Sequence, residues 1–587
     1  MKMKQVLSVL FAVVMIGSLA ACGNTGITSG EAQEQSGAGE SAKQSGNIEQ
    51  KAQSEQGEKN YYGFDEPVSI KVGISRTADF SYEDGEDAEK NRWMDLYHEN
   101  NIIPEILYEV DSSQAETKMS TAIMSGNYPD ILGAKPSDFL NYVQTGVIAD
   151  ITDAFEEYAT DELKEYLNAD GGLALQNVTV GGRMYGLPEM GNSYDAVPVM
   201  FIRQDWLDNL GLTVPETMDE LKEVAYAFTY NDPDQNGVDD TYGLAIDGMN
   251  ILCPSIGDTS GIFAGFGAYP GTDGMAFVEY EDGTVTWGGT NAEGMKAGLQ
   301  LLQDMYKDGS LAKDFITMDS NSIFEEAGAG RCGIWFGPMW GAMVPANDAC
   351  RGDANAHITS ATVPDGQSQG KSRVLIQPVL NNIYCVSSKC DTPEVLIKMM
   401  NLSVQKLCHP VDSEEFYRYY GDVESIAAEW KCSITPSLPP LKNYDNYKKE
   451  SAALQNNDTS ELNIEQLGDY QNMKSFLEMK DAGDINPDDG AFAAGIGLYT
   501  VFGDPQGSYA AIDKMVENNQ FMPSAYNSLP TDKMAENSAT LKKLTVETIV
   551  KIITGESVDS YDTFLETWNA LGGQDVTVDA QAWADAN

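Results

Sequence analysis

The sequence predicts an α/β protein of two lobes, each a parallel-rich sheet flanked by helices, with hinge crossovers between them. Three observations carry this expectation. Strand and helix signals alternate from residue 68 onward, the same alternation returns from about Val197, and the body from 61 to 587 is long enough for two or more domains. Val68, Ile70 and Val72 alternate as in a strand with one buried face, and a helix follows around Trp93, Leu96 and Tyr97. A second strand is expected over 106–110. Ala115, Met119, Ala122 and Ile123 then share one helical face before Gly126, and a short buried strand follows over 128–132. This β-α-β-α-β order implies parallel strands with helical crossovers. In the second unit, 197–202 reads as an apolar strand. Thr217 and Glu220 form a capping box, and Leu221, Val224, Ala225 and Phe228 form the buried stripe of the helix it opens. Phe564, Trp568 and Leu571 give a last helical stripe, stopped by Gly572 and Gly573. No repeat of solenoid length is visible.

The N-terminus predicts export. Lys2 and Lys4 precede an apolar run over 6–21, too short to span a bilayer comfortably, in the manner of a secretory signal. The run ends in Leu19-Ala20-Ala21-Cys22-Gly23, which resembles the site where bacterial lipoproteins are lipidated and cut. Cys22 would then carry a lipid that holds the chain on the outer, extracytoplasmic face of the cell membrane. An ordinary signal peptide with a chance cysteine is the alternative. Residues 1–21 are thus expected to be removed. Residues 22–60, rich in Gly, Ser, Glu, Gln and Lys, are expected to be a disordered tether.

Charge and cysteines narrow the function by exclusion. The formal net charge of −53 argues against nucleic acid and acidic membranes as partners, fits a monomeric envelope protein, and mildly disfavours highly anionic ligands. Beyond Cys22 stand seven cysteines, an odd number, and no Cys-x-x-Cys pair points to zinc or thiol redox chemistry. Catalysis finds little support. None of the three histidines, His98, His357 and His409, sits in a zinc or triad motif, and no nucleophile elbow or phosphate-binding loop is present.

The 232–240 loop carries the strongest local chemistry. Asp232, Asp234, Asn236 and Asp240 place oxygens at alternate positions around Gly237, as a calcium ion requires of six to eight hard oxygen ligands. The backbone carbonyl of Val238 completes the expected ligand set. The twelfth position is Gly243 rather than a bidentate Glu, so water or a distant carboxylate would have to close the shell. A metal-free turn is the alternative, since Asp, Asn and Gly populate turns anyway. The second acidic stretch, 484–490, has its glycine one place late and reads as a loop.

The segments 125–132 (Ser-Gly-Asn-Tyr-Pro-Asp-Ile-Leu), 182–188 (Gly-Arg-Met-Tyr-Gly-Leu-Pro), 326–340 ending Gly337-Pro338-Met339-Trp340, Val363-Pro364-Asp365-Gly366 and 552–573 stand in one order. In that order they resemble the extracellular solute-binding proteins of family 1, the sugar-binding lipoproteins of ABC importers, and in particular their larger members with a calcium loop. The resemblance implies a type II periplasmic-binding-protein-like fold, with 61–188 and 365–408 as the N-lobe and 189–364 and 409–587 as the C-lobe. It implies a carbohydrate ligand, permease subunits as partners, a structural Ca2+ and no enzymatic activity. Trp340 matches a tryptophan that stacks on a sugar ring. Asp138, Tyr194, Arg203, Trp287 and Trp335 are further ligand candidates, because a pyranose needs flat apolar faces and a few fixed polar groups. Apolar residues near Met200 and Ile202 replace the sugar-contacting Glu and Tyr of maltodextrin-binding members, which disfavours maltodextrin. The rival readings are a surface glycoside hydrolase or lyase, and a lipoprotein that presents its ligand to a sensor kinase.

Overall fold

The computed structural model describes residues 59–586 apart from 77–79, 84, 253–254, 272–274, 281, 369, 378–379 and 422–428. The expected signal peptide, Cys22 and nearly all of the tether lie outside the described residues.

The first sheet has five strands in the order Ile102–Asp111, Val68–Arg76, Ile131–Ala134, Leu380–Val386, Leu187–Met190. The first three run parallel, as the opening alternation requires. Ile70, Val72 and Ile74 are buried at period two. The helix Arg92–Glu99 starts where the Asn91 side chain accepts from the Trp93 and Met94 amides, and it buries Trp93, Leu96 and Tyr97. The helix Ala115–Ser125 ends at Gly126, whose φ of 73° suits a residue without Cβ. The strand Leu380–Val386 returns antiparallel between its two neighbours.

The second sheet runs Ile358–Ala361, Val199–Arg203, Cys332–Gly337, Tyr242–Leu244. Here the structure departs from the parallel-rich expectation. Val199–Arg203 lies antiparallel to both neighbours, and only Tyr242–Leu244 pairs parallel with Cys332–Gly337. The chain enters this sheet from a crossover rather than from a βαβ unit, so the direction rule that fixed the first sheet does not govern it. The predicted capping box is present at Thr217 and Glu220, and the helix Met218–Tyr230 buries Leu221, Val224, Ala225 and Phe228.

The buried side chains divide between the sheets. The first cluster gathers 70–190 with 384–432, the second gathers 197–374 with 473–580, and a smaller third joins 122–178 to Ile383, Cys385 and Leu529. The return to the second lobe expected at residue 409 therefore comes later. Tyr419 and Cys432 are buried in the first cluster, and the Trp93 indole N–H donates to the Tyr419 carbonyl at 3.1 Å. At the chain end, Gly572 (φ 112°) kinks the helix rather than stopping it. Ser560–Trp568 passes through 569–573 into Gln574–Ala586, leaving Leu571 exposed. Among the described residues, no helix is long and apolar enough to cross a membrane.

Candidate functional site

The carboxyl ends of the three parallel strands open into a cleft of about 680 Å³. Ligands of open α/β sheets bind at such strand ends, where loops diverge and leave a crevice. Ile74, Arg76, Tyr108 and Leu132 line it, followed by Lys135 and Asp138 from the start of the helix Pro136–Gln144. Two glycines hold the floor low. A Cβ at Gly73 would meet the Tyr108 ring at 2.4 Å, and one at Gly133 would meet Asn382 at 2.7 Å.

The facing wall is the 430–436 segment, bound to the first lobe at several points. Arg76 Nη1 donates to the Lys431 carbonyl at 2.6 Å, and the Ile434 amide donates to Tyr97 Oη at 3.1 Å. The adjoining Glu429, almost fully buried, pairs with Arg92 at 3.3 Å. A second pocket of about 270 Å³ adjoins the first, lined by the 189–195 crossover and by 438–443 with Pro439 and Pro440. Trp430 and Pro436 line both pockets. Trp430 is half-buried, and its indole N–H is shielded from solvent without an acceptor among the described residues. A shielded donor with no partner is costly, so a group that enters the cleft and accepts from it gains that bond.

Carboxyl groups surround this ring. Burial pushes Asp138 up from the usual carboxylate range, and Glu116 adds to the effect. Lys135 pairs with Glu116 at 2.5 Å. Glu189 is raised by burial and accepts from Tyr384 Oη at 3.0 Å. Asp195 is raised by burial and accepts from Tyr509, from Asn443 at 2.9 Å and from Asn192 at 2.8 Å. Together the cleft offers aromatic faces, fixed acceptors and free donors, which suits a ligand with both ring faces and hydroxyls.

The sequence-predicted residues fall into three groups. Asp138 lines the cleft. Tyr194 and Trp340 lie at the second lobe's side of the crossover. Tyr194 stacks on Phe521 at 5.5 Å and touches Tyr444 at 5.3 Å, while the Met339 amide beside Trp340 donates to the Asp195 carbonyl at 3.2 Å. Trp340 is partly buried against the second core. The remaining three are interior. Trp335 stacks on Phe201 and donates to the Gly341 carbonyl at 2.9 Å, and Trp287 stacks on Trp568 at 4.3 Å and donates to the Pro270 carbonyl. Arg203, 2 % exposed, is held by both oxygens of Asp205 and lies over the Trp206 ring. These three side chains serve packing here and present no face to the cleft. Sequence reasoning missed Arg76, Tyr108 and Trp430. The strand-end rule could have found the first two. Trp430 carries no local signal, because only the fold brings it to the cleft.

The 232–240 loop curls inward through positive φ at Asp232 (49°), Gln235 (56°) and Gly237 (77°). The Asn236 side-chain amide donates to Asp234 at 2.7 Å and to Asp240 at 3.3 Å, and the Gly237 amide donates to Asp232 at 3.2 Å. Asp234 is raised by burial first, with Asp240 and Asp232 adding. Hard oxygens crowded around one amide fit a divalent cation by donor type. The loop is clasped to the helix before it, since Thr241 Oγ1 donates to the Phe228 carbonyl at 2.8 Å and Asn209 donates to the Pro233 carbonyl. Among the described residues, Glu83, Glu86 and Glu429 bring ligand atoms within 4.8 Å of one another, but Arg92 already pairs with all three.

Comparison with known proteins places this geometry. The family model for bacterial extracellular solute-binding proteins matches residues 98–459. The chain is 26% identical over 478 residues to the polygalacturonan/rhamnogalacturonan-binding protein YtcQ of Bacillus subtilis (strain 168), covering 80% of this chain and 82% of that one. It is 32% identical over 228 residues to the lipoprotein LipO of the same organism, covering 38% of this chain and 42% of that one. Its fold resembles the S. pneumoniae ABC-transporter substrate-binding protein FusA, solved as an EF-hand mutant with fructo-nystose. The TM-score is 0.57 at 18% identity, covering 88% of this chain and 99% of that one. With the two-lobed α/β architecture and a match across more than half its length, the chain belongs to the bacterial extracellular solute-binding protein family.

Proposed function

We propose that this protein captures an oligosaccharide outside the cell and hands it to the permease of an ABC importer. The observation that carries the reading is Trp430, a half-buried ring with an unpartnered N–H shared by two adjoining pockets and flanked by Asp138, Glu189 and Asp195. A pyranose face on the indole and hydroxyls on the carboxylates would use the ring and the acceptors that line the cleft. The reading is supported by YtcQ and FusA, whose names tie them to polysaccharide and fructo-oligosaccharide ligands. Closure would swing the lobes about the 189–195 and 438–443 crossovers and bury the ligand between them, bringing Tyr194 and Trp340 toward it. The protein would bind its ligand without turning it over.

Anchoring would come from a lipid on Cys22, a reading supported by the similarity to LipO. Calcium would be held by Asp232, Asp234, Asn236, the Val238 carbonyl and Asp240, where it would neutralise the crowded carboxylates and stiffen the end of the helix Met218–Tyr230. The EF-hand named for FusA supports this assignment.

The test is thermal unfolding of the chain from residue 59 onward, with calcium, against mono- and oligosaccharides. A ligand at a hundred times its Kd adds about 2.7 kcal/mol. A rise in Tm with one sugar class, recovered intact, is the expected result. A cleaved sugar would point to an enzyme instead.

A further inference from the structure

Resting on the capture reading, the charges in the cleft say which oligosaccharides it takes. The chain carries 90 Asp and Glu against 37 Lys and Arg, so a cation in its cleft without a carboxylate beside it is unusual. Lys135 is paired with Glu116, and Lys442 of the adjoining pocket is paired with Glu465. Arg76 and Lys431 differ, since among the described residues neither makes an ion pair. Arg76 is fixed in place all the same. Its Nη1 donates to the Lys431 carbonyl at 2.6 Å, its Nε donates to Tyr82 Oη at 3.3 Å, and its guanidinium lies over the Phe80 and Tyr82 rings at 4.8 and 5.6 Å. This leaves Nη2 without a partner among the described residues. The Lys431 ammonium lies 5.8 Å from the centre of the Trp430 ring.

We propose that Arg76 and Lys431 form an anion subsite beside Trp430, and that the captured ligand is an acidic oligosaccharide whose uronate carboxylate they hold. A sugar ring lying on the indole would carry its carboxylate toward the two cations, while Asp138 and Glu189 accept from hydroxyls elsewhere on the chain. One free guanidinium nitrogen and one ammonium match the two oxygens and single charge of a carboxylate. A doubly charged phosphate would be undercompensated in a chain of this net charge. The pre-set Arg76 loses little freedom on binding, which favours recognition there over a mobile surface pair.

The experiment is calorimetric titration with trigalacturonate and with the neutral trisaccharide of the same linkage, at low and high salt, for the wild type, Arg76→Gln and Lys431→Gln. The proposal expects trigalacturonate to bind, to weaken as salt rises, and to lose about tenfold or more in affinity in each variant. Weak binding of the neutral trisaccharide should change less in each variant than trigalacturonate binding does. Trigalacturonate affinity that ignores both substitutions would overturn it. So would a neutral oligosaccharide that binds where no acidic one does, though the capture reading would then survive. Silence toward every sugar would remove the capture reading itself. Melting curves report whether Arg76→Gln has disturbed the Phe80–Tyr82 packing. If it has, Lys431→Gln decides alone, because the Lys431 side chain holds none of the Phe80–Tyr82 packing that Arg76 lies over.

Discussion

Eight tryptophans stand in this chain, and they differ in burial and in what their indole N–H groups meet. Trp287 and Trp335 are fully buried with their indole N–H groups bonded to backbone carbonyls, so each is finished as a core residue. Trp206 and Trp568 are also fully buried, with N–H groups unbonded among the described residues, so what sets Trp430 apart is that it is half-buried and lines the cleft. Opposite outcomes follow from the same substitution. Trp430→Ala should lower oligosaccharide affinity about tenfold or more, some 1.4 kcal/mol, with Tm little changed, as calorimetry beside melting would show. Trp335→Ala should cost about 3–5 kcal/mol of stability by opening a cavity behind Phe201. Chemical denaturation measures that loss, and ligand affinity in the fraction still folded should be near wild type. A Trp430 variant that binds normally would remove the ring from the site.

At the scale of elements, the 232–240 loop and the helix before it form one unit. Thr217 caps its start, accepting from the Glu220 amide at 3.2 Å, and the 232–240 loop closes its end. Thr217→Ala should therefore cost about 1 kcal/mol in denaturant unfolding, with or without calcium. Asp234→Ala should instead abolish any rise in Tm that calcium produces while leaving the calcium-free Tm unchanged or higher, since it relieves like-charge crowding. A calcium-induced rise that survives Asp234→Ala would place the ion elsewhere. These elements were legible because their information is local: a capping box, alternate oxygens, and period-two burial at Ile70, Val72 and Ile74. The first sheet's direction followed from short βαβ connections. The antiparallel entry of Val199–Arg203 did not, since nothing in five apolar residues records which way a crossover delivers them. That Asp138 lines the cleft was legible because it follows a strand end. The 430–436 wall was missed because its place depends on Tyr97, Arg92 and Arg76, more than three hundred residues earlier. Arg203 misled for a related reason, as its sequence does not reveal that Asp205 folds back to neutralise it in the interior.

The whole molecule carries its acidity inside as well as outside, and that sets its pH response. Beneath the second pocket, Tyr420 from the first core donates to Glu465, which also holds Lys442. Deeper still, Glu450 is fully buried with neither oxygen bonded, beside Asp469. Burial pushes Glu450 well up and Asp469 to about 7, with neighbouring carboxylates adding in both cases. In the first lobe, burial pushes Glu429 to about 7, partly offset by Arg92. Unfolded, each would titrate near 4. The native state thus holds more protons than the unfolded one between about pH 4 and 7, so these groups stabilise the fold in acid, and that contribution is lost as pH rises through the window. Surface carboxylates with lowered values act the other way. Glu220 and Asp319, held by helix-start amides, contribute above their unfolded values and lose that contribution in stronger acid. The two trends meet, so Tm should peak near pH 5 and fall toward pH 8, where self-repulsion of a chain at −53 adds to the loss. Glu450→Gln keeps the shape and removes the charge. It should raise Tm at pH 8, leave it nearly unchanged at pH 5, and so flatten the slope between them. A slope identical to wild type would mean that Glu450 enters the native state already ionised, with Lys442 rather than a proton as its counter-charge.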